Sequence, residues 1–194
     1  MPFNESAECL PIIRKALAVV RPQFRLDVRH GIHGVPHWSR VWYHGRALAA
    51  AVEVNPAVLA WFAFLHDSRR FNDHFDPQHG SRAADFALRL RREGVIVELD
   101  AREFEHLCEA MRLHSDGHTE AEAALRACWD ADRLDLARAG IRPDPQLMCT
   151  DHGRQAPVIR SAVRMAQGRP RVAARLRAQE QAWKVDTGGL RGMQ

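Results

Sequence analysis

Residues 58–67 read VLAWFAFLHD, and the architecture is most easily inferred from this segment. It is apolar on every side up to its last two positions, which is typical of a helix that is buried all round. Asn55 and Pro56 precede it and are residues that commonly cap and begin a helix. The segment ends in His66 and Asp67, and a carboxylate placed there is costly unless a metal, another cation or hydrogen bonds satisfy it. The segment predicts a central helix with a polar site at its end.

Amphipathic helices are predicted on both sides of this segment, because apolar residues recur at helical spacing and capping residues, Pro or Gly mark the ends. The predicted helices cover 5–20, 36–54, 55–67, 81–92, 99–113 and 119–139, followed by two more between 155 and 187 with a break at 168–170. The helix over 119–139 is placed there because Thr119 and Glu122 have capping-box spacing. Only residues 95–97 hint at a strand. The sequence predicts an all-α, single-domain, irregular helical bundle.

The composition is that of a folded protein with a basic C-terminal part. Hydrophobic residues make up 46% and charged residues 27% of the 194 positions, which excludes a disordered chain. Residues 152–194 hold nine Arg or Lys against two acidic residues. We expect a helical domain over 1–151 and a basic helical extension over 152–194 that packs on it or trails from it. Such an extension can attract a polyanion, but it holds one Trp and neither Phe nor Tyr for stacking on nucleic-acid bases.

No segment is predicted to cross a membrane, since the apolar stretch 47–65 is interrupted by Glu53, Asn55 and Pro56. The N-terminal residues MPFNESAECL lack the basic and apolar regions of a secretory signal. The four cysteines are scattered without a CxxC pair, which favours reduced thiols over a disulfide framework. We therefore expect a cytoplasmic protein without membrane contact.

Three predicted helices place ionisable groups where an apolar face is expected. His37 lies four residues before Val41 on the second helix, His66 and Asp67 end the third, and Asp132 lies within the apolar stripe of the sixth. Two histidines and two carboxylates from three helices suit Mn²⁺, Fe²⁺, Co²⁺, Ni²⁺ or Mg²⁺, with positions left for water and substrate. The alternative is a core in which the carboxylates pair with some of the many arginines.

The motifs HGVPHWSRV (33–41), LHD (65–67) and WDADRLDLARAGIRPDP (129–145) resemble those of the HD-domain metal-dependent phosphohydrolase superfamily, over about residues 30–140. The resemblance implies an all-helical fold and a divalent metal. It also implies hydrolysis of phosphate esters or anhydrides of nucleotides and related compounds. The metal ligands it implies, in the order H…HD…D, are His37, His66, Asp67 and Asp132.

Other features of the sequence refine the resemblance. Ser68-Arg69-Arg70 replaces the glycine-lysine that follows the HD pair in cyclic-di-GMP phosphodiesterases, no GYP triplet follows His114, and no synthetase or nucleotide-sensing domain is recognised. These differences argue against a second-messenger phosphodiesterase or a stringent-response enzyme. In branches that bind two metals, extra histidines occur about where His79 and His114 lie, and these would form a second site bridged by Asp67. Alternatively, both histidines end helices and face solvent.

The sequence therefore predicts a metal-dependent phosphohydrolase that acts on a small phosphorylated substrate such as a nucleotide. Asp67 would orient the attacking water, and Arg40, Arg69 and Arg70 suit forked contacts with phosphate unless they pair with acidic residues or lie on the surface. One alternative is a mixed-valent di-iron oxygenase of the HD type, which needs six ligands that include His79 and His114. Another is a non-catalytic metal-binding module whose basic extension binds a polyanion.

Overall fold

The computed structural model describes residues 9–168, and this part of the chain is helical without a β-strand. Short 3-10 turns cover Arg21–Gln23, Leu136–Ala139 and Pro145–Leu147. None of the described helices is long and apolar enough to cross a bilayer. The α-helices are α1 (Leu10–Val20), α2 (Val35–Ala51), α3 (Pro56–Leu65), α4 (His79–Arg92), α5 (Ala101–Leu113), α6 (Ala123–Arg133), α7 (Asp151–Arg154) and α8 (Ala156–Gln167). The all-α prediction is confirmed.

Helix α3 forms the centre of the bundle. The Asn55 side chain caps it by accepting a hydrogen bond from the Ala57 backbone N–H at 2.9 Å, as predicted. Every residue from 57 to 65 is buried, because α1, α2, α5 and α6 pack around the helix. The chain that leaves α3 therefore begins inside the protein, where His66 and Asp67 are buried as well.

Helix α2 crosses α3 and also packs against α6. It begins at Val35 with Pro36 in its first turn, close to the predicted start. Trp38 is fully buried, with its ring 4.9 Å from that of Phe24 in an edge-on contact. His37 is buried beside it in the same turn, so α2 carries its first histidine into the core.

The predicted helix over 119–139 is wrong at both ends. Helix α6 begins at Ala123, and no side-chain cap is formed at its start. Residues 117–120 are not helical, and the carbonyl oxygen of His118 accepts a hydrogen bond from Arg133. It ends at Arg133, after which a 3-10 turn leads to Gly140 with φ 79°. The carboxylate of Asp135 at this break is bound from α2, which fixes the change of direction.

Two smaller boundaries also differ from the prediction. Residues 95–97 form a loop rather than a strand, and Arg91 donates a hydrogen bond from Nη1 to the Ile96 carbonyl oxygen at 2.9 Å. Helix α5 begins later than predicted, where Asp100 and Glu103 form a reciprocal capping box. The start of α5 therefore follows its capping residues rather than the apolar pattern from which it was predicted.

The C-terminal described segment is attached through Asp130. Its carboxylate accepts hydrogen bonds from the backbone N–H groups of Cys149 and Thr150, both at 2.8 Å. Helix α8 then buries Ile159 and Ala162, and it packs against the 3-10 turn that follows α6. The predictions for residues 5–8 and for 169–194, including the second helix of the extension, lie outside the described residues. The division of the chain at 151/152 stays a prediction.

Three cysteines within the bundle are buried thiols with raised pKa values. Cys108, Cys128 and Cys149 are buried and form no disulfide. Burial raises the pKa of the Cys108 thiol to about 11 and that of Cys149 to about 12, so neither is a thiolate near neutral pH. These observations agree with the expectation of reduced thiols.

Candidate metal centre

Six ionisable side chains from five helical segments meet in the interior of the bundle. Two directly follow α3, and the others lie in the first turn of α2, at the start of α4, at the end of α5 and within α6. Five are buried, and the side chain of Asp132 is 14% exposed. The structure thus brings together all the candidate metal ligands of both predicted sites. The six residues are His37, His66, Asp67, His79, His114 and Asp132.

The first half of this cluster surrounds one oxygen of Asp67. The Nε2 atom of His37 lies 3.4 Å from Asp67 Oδ2 and 3.4 Å from Asp132 Oδ1. The Nε2 atom of His66 lies 3.4 Å from the same Asp67 oxygen and 3.7 Å from Asp132 Oδ1. The two imidazole Nε2 atoms are 3.1 Å apart. Two imidazoles and two carboxylates therefore converge on one small space.

The second half of the cluster surrounds the other oxygen of Asp67. The Nε2 atom of His79 lies 3.3 Å from Asp67 Oδ1, and that of His114 lies 3.8 Å from it. The Nε2 atoms of His79 and His114 are 2.8 Å apart. Asp67 thus lies between two pairs of histidines, with one carboxylate oxygen directed at each pair.

All four imidazoles have their Nδ1 atom bound to an oxygen. A carbonyl or carboxylate oxygen accepts but does not donate, so each Nδ1 carries the hydrogen and each Nε2 is left as a ligand atom when the ring is neutral. The ring of His66 is also stacked on Phe62, with ring centroids 4.9 Å apart. The oxygens are Asp135 Oδ2 for His37 (2.7 Å), Phe62 O for His66 (3.1 Å), Met111 O for His114 (2.7 Å) and Asp76 O for His79.

The donor atoms fit divalent metal ions. Two neutral Nε2 lone pairs that face each other repel unless a cation lies between them. Ligand atoms about 2.1 Å from one ion are roughly 3 Å apart at right angles, which matches the 3.1 Å and 2.8 Å between the paired Nε2 atoms. Asp132 Oδ1 is buried and accepts no hydrogen bond from any residue that the structure describes, so the first half also offers a carboxylate oxygen without a hydrogen-bond donor there. The first half therefore passes this test. In the second half, Arg70 Nη1 already lies 3.0 Å from His79 Nε2 and 3.3 Å from Asp67 Oδ1, so an ion fits there only if it displaces this guanidinium.

The fold has a counterpart among solved structures. No protein-family model matches the chain, and no curated protein sequence matches it. A crystal structure described as a predicted HD superfamily hydrolase, from an uncultured Thermotogales bacterium, is similar with a TM-score of 0.62 at 21% sequence identity. The match covers 94% of this chain and 99% of that one. This chain has the HD-domain fold. The recognition made from three short motifs is confirmed at the level of the fold.

In this HD-domain fold, the two carboxylates of the cluster are held ionised. Burial alone would raise the pKa of Asp67, but when the neighbouring imidazoles are protonated, the positive charge of His66 and hydrogen bonds donated by the histidines, His114 first, hold that pKa well below its ordinary value. Burial opposes ionisation of Asp132 too, and the positive charge of Arg138 is the main cause that lowers its pKa to about 2. Both groups are therefore available as anionic ligands at neutral pH.

Asp135 binds the side of the His37 ring that faces away from the cluster. Its carboxylate is fully buried, accepts the Nδ1 hydrogen of His37 at 2.7 Å and also accepts hydrogen bonds from Arg40 through both oxygens. The sequence assigned Arg40 to phosphate, but the structure places its guanidinium on Asp135, with 8% of the side chain exposed. Asp135 therefore contacts both a candidate ligand, His37, and an arginine that the sequence had suggested for phosphate.

The other two arginines proposed for phosphate differ in position. Arg70 contacts the second half of the cluster, with Nη1 3.0 Å from His79 Nε2 and 3.3 Å from Asp67 Oδ1. Arg69 makes no described contact with the cluster; it lies over the Phe86 ring at 4.9 Å and donates to Gln23. Arg70 is thus a cation within the site, whereas Arg69 packs on the neighbouring helix.

Sequence reasoning missed Arg138. This residue lies in the 3-10 turn after α6, and its Nη1 is 3.7 Å from Asp132 Oδ1. The spacing of Asp132, Asp135 and Arg138 at three-residue intervals could have indicated it, because residues three apart share one side of a helical turn. His33 lies outside the six-residue cluster; it is buried next to His37, and its Nδ1 is 2.8 Å from Asp73 Oδ1.

Proposed function

We propose that this chain is a metal-dependent phosphohydrolase that cleaves a phosphate ester or anhydride of a small phosphorylated molecule, with nucleotides as the first class to test. The placement of Asp67 between two pairs of imidazole Nε2 atoms carries this proposal. The fold shared with a protein described as a predicted hydrolase supports it. We place this activity in the cytoplasm, on a free substrate and without membrane contact.

In this proposal, the first ion is held by His37, His66, Asp67 and Asp132, and His79 and His114 hold a second together with the other oxygen of Asp67. Four imidazoles and two carboxylates favour Mn²⁺, Fe²⁺, Co²⁺ or Ni²⁺ over Mg²⁺, which prefers oxygen ligands. A bound divalent ion supplies hydroxide near neutral pH by lowering the pKa of a water, and it polarises the phosphoryl group.

The protein's own residues then have definite tasks. Asp67 is already ionised, so it can accept a hydrogen bond from the attacking water and orient it. Asp135 keeps the His37 ring turned so that Nε2 faces the cluster. Arg70 holds a positive charge against Asp67 and is the one predicted phosphate-binding arginine that contacts the cluster. It is therefore our candidate for an arginine that stabilises charge on the phosphoryl oxygens.

The proposal is tested on purified protein loaded separately with Mn²⁺, Fe²⁺, Co²⁺, Ni²⁺ and Mg²⁺. Release of inorganic phosphate is measured over a panel of nucleotides and sugar phosphates. The variants His66→Ala and Asp67→Asn are compared with His30→Ala, which alters an exposed histidine outside the cluster. We expect activity in the wild type and in His30→Ala, and at least a 1,000-fold loss (~4 kcal/mol of transition-state stabilisation) in the other two. Equal phosphate release from all four proteins would contradict the proposal.

A second candidate function is a di-iron oxygenase of the HD type, which the assembled six-residue set favours. Iron content, oxygen uptake and phosphate release separate the two functions in one preparation. Two irons per chain with substrate-dependent oxygen uptake and no phosphate release would favour the oxygenase. Phosphate release that needs the metal but no oxygen would favour the hydrolase.

A further inference from the structure

Arg138 carries a donor that has no hydrogen-bond partner among residues 9–168. Its side chain is 9% exposed, and within this described part of the chain its buried Nη1 atom has no hydrogen-bond acceptor. Buried polar atoms in folded proteins nearly always have a partner, and a charged donor is the most costly kind to leave without one. The missing acceptor of Arg138 Nη1 is therefore a feature to be explained.

The neighbouring groups do not supply that acceptor. Arg138 Nε donates to the Ile32 carbonyl oxygen at 2.8 Å, and this bond fixes the guanidinium. Asp135 Oδ2 is 3.9 Å from Nε and is already bound by His37 and Arg40. Asp132 Oδ1 is 3.7 Å from Nη1, beyond hydrogen-bond distance.

The position of Arg138 Nη1 relates it to the first half of the cluster. The oxygen nearest to it, Asp132 Oδ1, is also buried without a hydrogen-bond donor and lies 3.4 Å from His37 Nε2. Asp132 is the most exposed of the six cluster residues, at 14% of its side chain, and it is the cluster residue that Arg138 contacts. A fixed cation thus lies beside the most accessible candidate ligand.

We propose that Arg138 is an oxyanion-binding residue: it donates from Nη1 to an oxygen of the tetrahedral phosphoryl group of the substrate, next to the His37–His66 pair. This inference rests on the proposed function. The sequence had suggested Arg40, Arg69 and Arg70 for phosphate, and Arg138 adds a second anion contact to the one proposed for Arg70. A guanidinium suits this task because it stays charged and its donors lie in a rigid plane that matches phosphate oxygens. A metal ion at Asp132 would neutralise the carboxylate nearest to Arg138 and leave the guanidinium charge for the substrate.

If Arg138 had only a structural role, we would expect different effects of its substitution. If Arg138 only oriented Asp132, its loss would weaken the binding of the metal ion, and phosphate binding would fall only as far as the metal is lost. If Arg138 binds the oxyanion, its loss weakens phosphate binding while the metal stays bound. Metal affinity and phosphate affinity must therefore be measured separately in the same variants.

The experiment uses the full chain, loaded with Mn²⁺ and freed of unbound ion. Binding of inorganic phosphate is measured by titration calorimetry, and Mn²⁺ content and affinity are measured alongside. The variants are Arg138→Gln, Arg138→Lys and, as a matched control, Arg102→Gln, which alters an arginine whose side chain is 72% exposed. Circular dichroism checks that each variant is folded.

We expect Arg138→Gln to weaken phosphate binding about 10- to 100-fold, the usual range for one charged hydrogen bond, with Mn²⁺ affinity unchanged. Arg138→Lys keeps the positive charge but not the forked pair of donors, so its phosphate affinity should lie between those of the wild type and Arg138→Gln. If Arg138→Gln does not fold, the phosphate affinity of Arg138→Lys is the test. Arg102→Gln should behave as wild type.

Unchanged phosphate affinity in the folded Arg138 variants would overturn the inference. A parallel loss of Mn²⁺ affinity, or no phosphate binding by the wild type, would overturn it as well. Failure of the proposed function is seen separately, as an absence of turnover in every substrate, and does not alter this readout.

Discussion

The carboxylate of Asp135 accepts the Nδ1 hydrogen of His37 at 2.7 Å, and both side chains are completely buried. The pair spans 98 positions of sequence and joins α2 to the turn after α6. Because the bond fixes which nitrogen of His37 carries the hydrogen, it also fixes Nε2 as the atom directed at Asp67 and Asp132. A residue outside the six-residue cluster thus determines the geometry of a candidate ligand.

Replacing Asp135 by Asn should therefore weaken metal binding about 10- to 100-fold, the usual effect of losing a partner behind a metal-bound histidine. The amide keeps the size of the side chain but not its charge, so His37 and Arg40 lose a charged acceptor. Mn²⁺ titration of Asp135→Asn measures this, with Asp116→Asn, at an exposed position, as the control. An affinity equal to that of the wild type would show that Asp135 has no part in metal binding.

The two halves of the cluster should bind two ions with unequal affinity. Arg70 Nη1 lies 3.0 Å from His79 Nε2 and 3.3 Å from Asp67 Oδ1, so a second ion has to displace a guanidinium from two of its ligand atoms. The guanidinium of Arg138 stays 3.7 Å from the nearest ligand oxygen of the first ion, so the second ion should bind more weakly. We expect two ions per chain at saturation, with the weaker one absent in His79→Ala and retained in the control His74→Ala, whose side chain is exposed. Metal analysis after dialysis at graded ion concentrations checks this. A single class of sites unaffected by His79→Ala would exclude a second ion.

Gly80 allows helices α4 and α5 to approach closely beside His79 and His114. A Cβ atom at this position would collide with the backbone oxygen of Met111, the same oxygen that accepts the Nδ1 hydrogen of His114. Gly80→Ala should therefore separate the two helices, lower the free energy of unfolding by about 1–3 kcal/mol and remove the weaker ion. Urea unfolding and metal analysis measure the two effects, with Ser81→Ala as the control. Wild-type stability together with two bound ions would contradict this account.

Asp76 gives the protein a stability that depends on pH. Burial opposes its ionisation, but hydrogen bonds from Arg82 and from the Phe71 backbone N–H lower its pKa below the ordinary value. A lowered pKa in the folded state stabilises the protein above the unfolded-state pKa of about 3.9 and ceases to do so as pH falls through the folded value. Asp76→Asn should therefore cost about 1–3 kcal/mol at pH 7 and progressively less below pH 4. A constant difference in urea unfolding between pH 7 and pH 3 would refute this.

The sequence predicted the parts of the fold that depend on apolar pattern. Helix α3 is buried over its whole length, so its composition alone indicated a central helix. The limits of α6 were misjudged. Its C-terminal end is followed by Asp135, whose carboxylate is bound by His37 and Arg40 of α2, contacts between distant positions. No local pattern contains that information.

For the candidate site too, one part could be predicted from the sequence and another could not. His37, His66, Asp67 and Asp132 interrupt apolar faces or match known motifs, so the amino-acid sequence alone identifies them as candidate ligands. The sequence does not identify the contacts of the arginines. An arginine that is close to a motif in sequence has a long side chain, and its guanidinium can bind a group far from that motif. Arg40 contacts Asp135, whereas Arg138, outside the predicted set, has its Nη1 close to Asp132.

The most direct test of the metal centre is anomalous diffraction at the manganese edge from crystals of the Mn²⁺-loaded protein. The account predicts a peak about 2.0–2.3 Å from His37 Nε2, His66 Nε2, Asp67 Oδ2 and an oxygen of Asp132, and a weaker peak on the Oδ1 side of Asp67. A fully loaded protein whose anomalous peaks all lie away from Asp67 would contradict it.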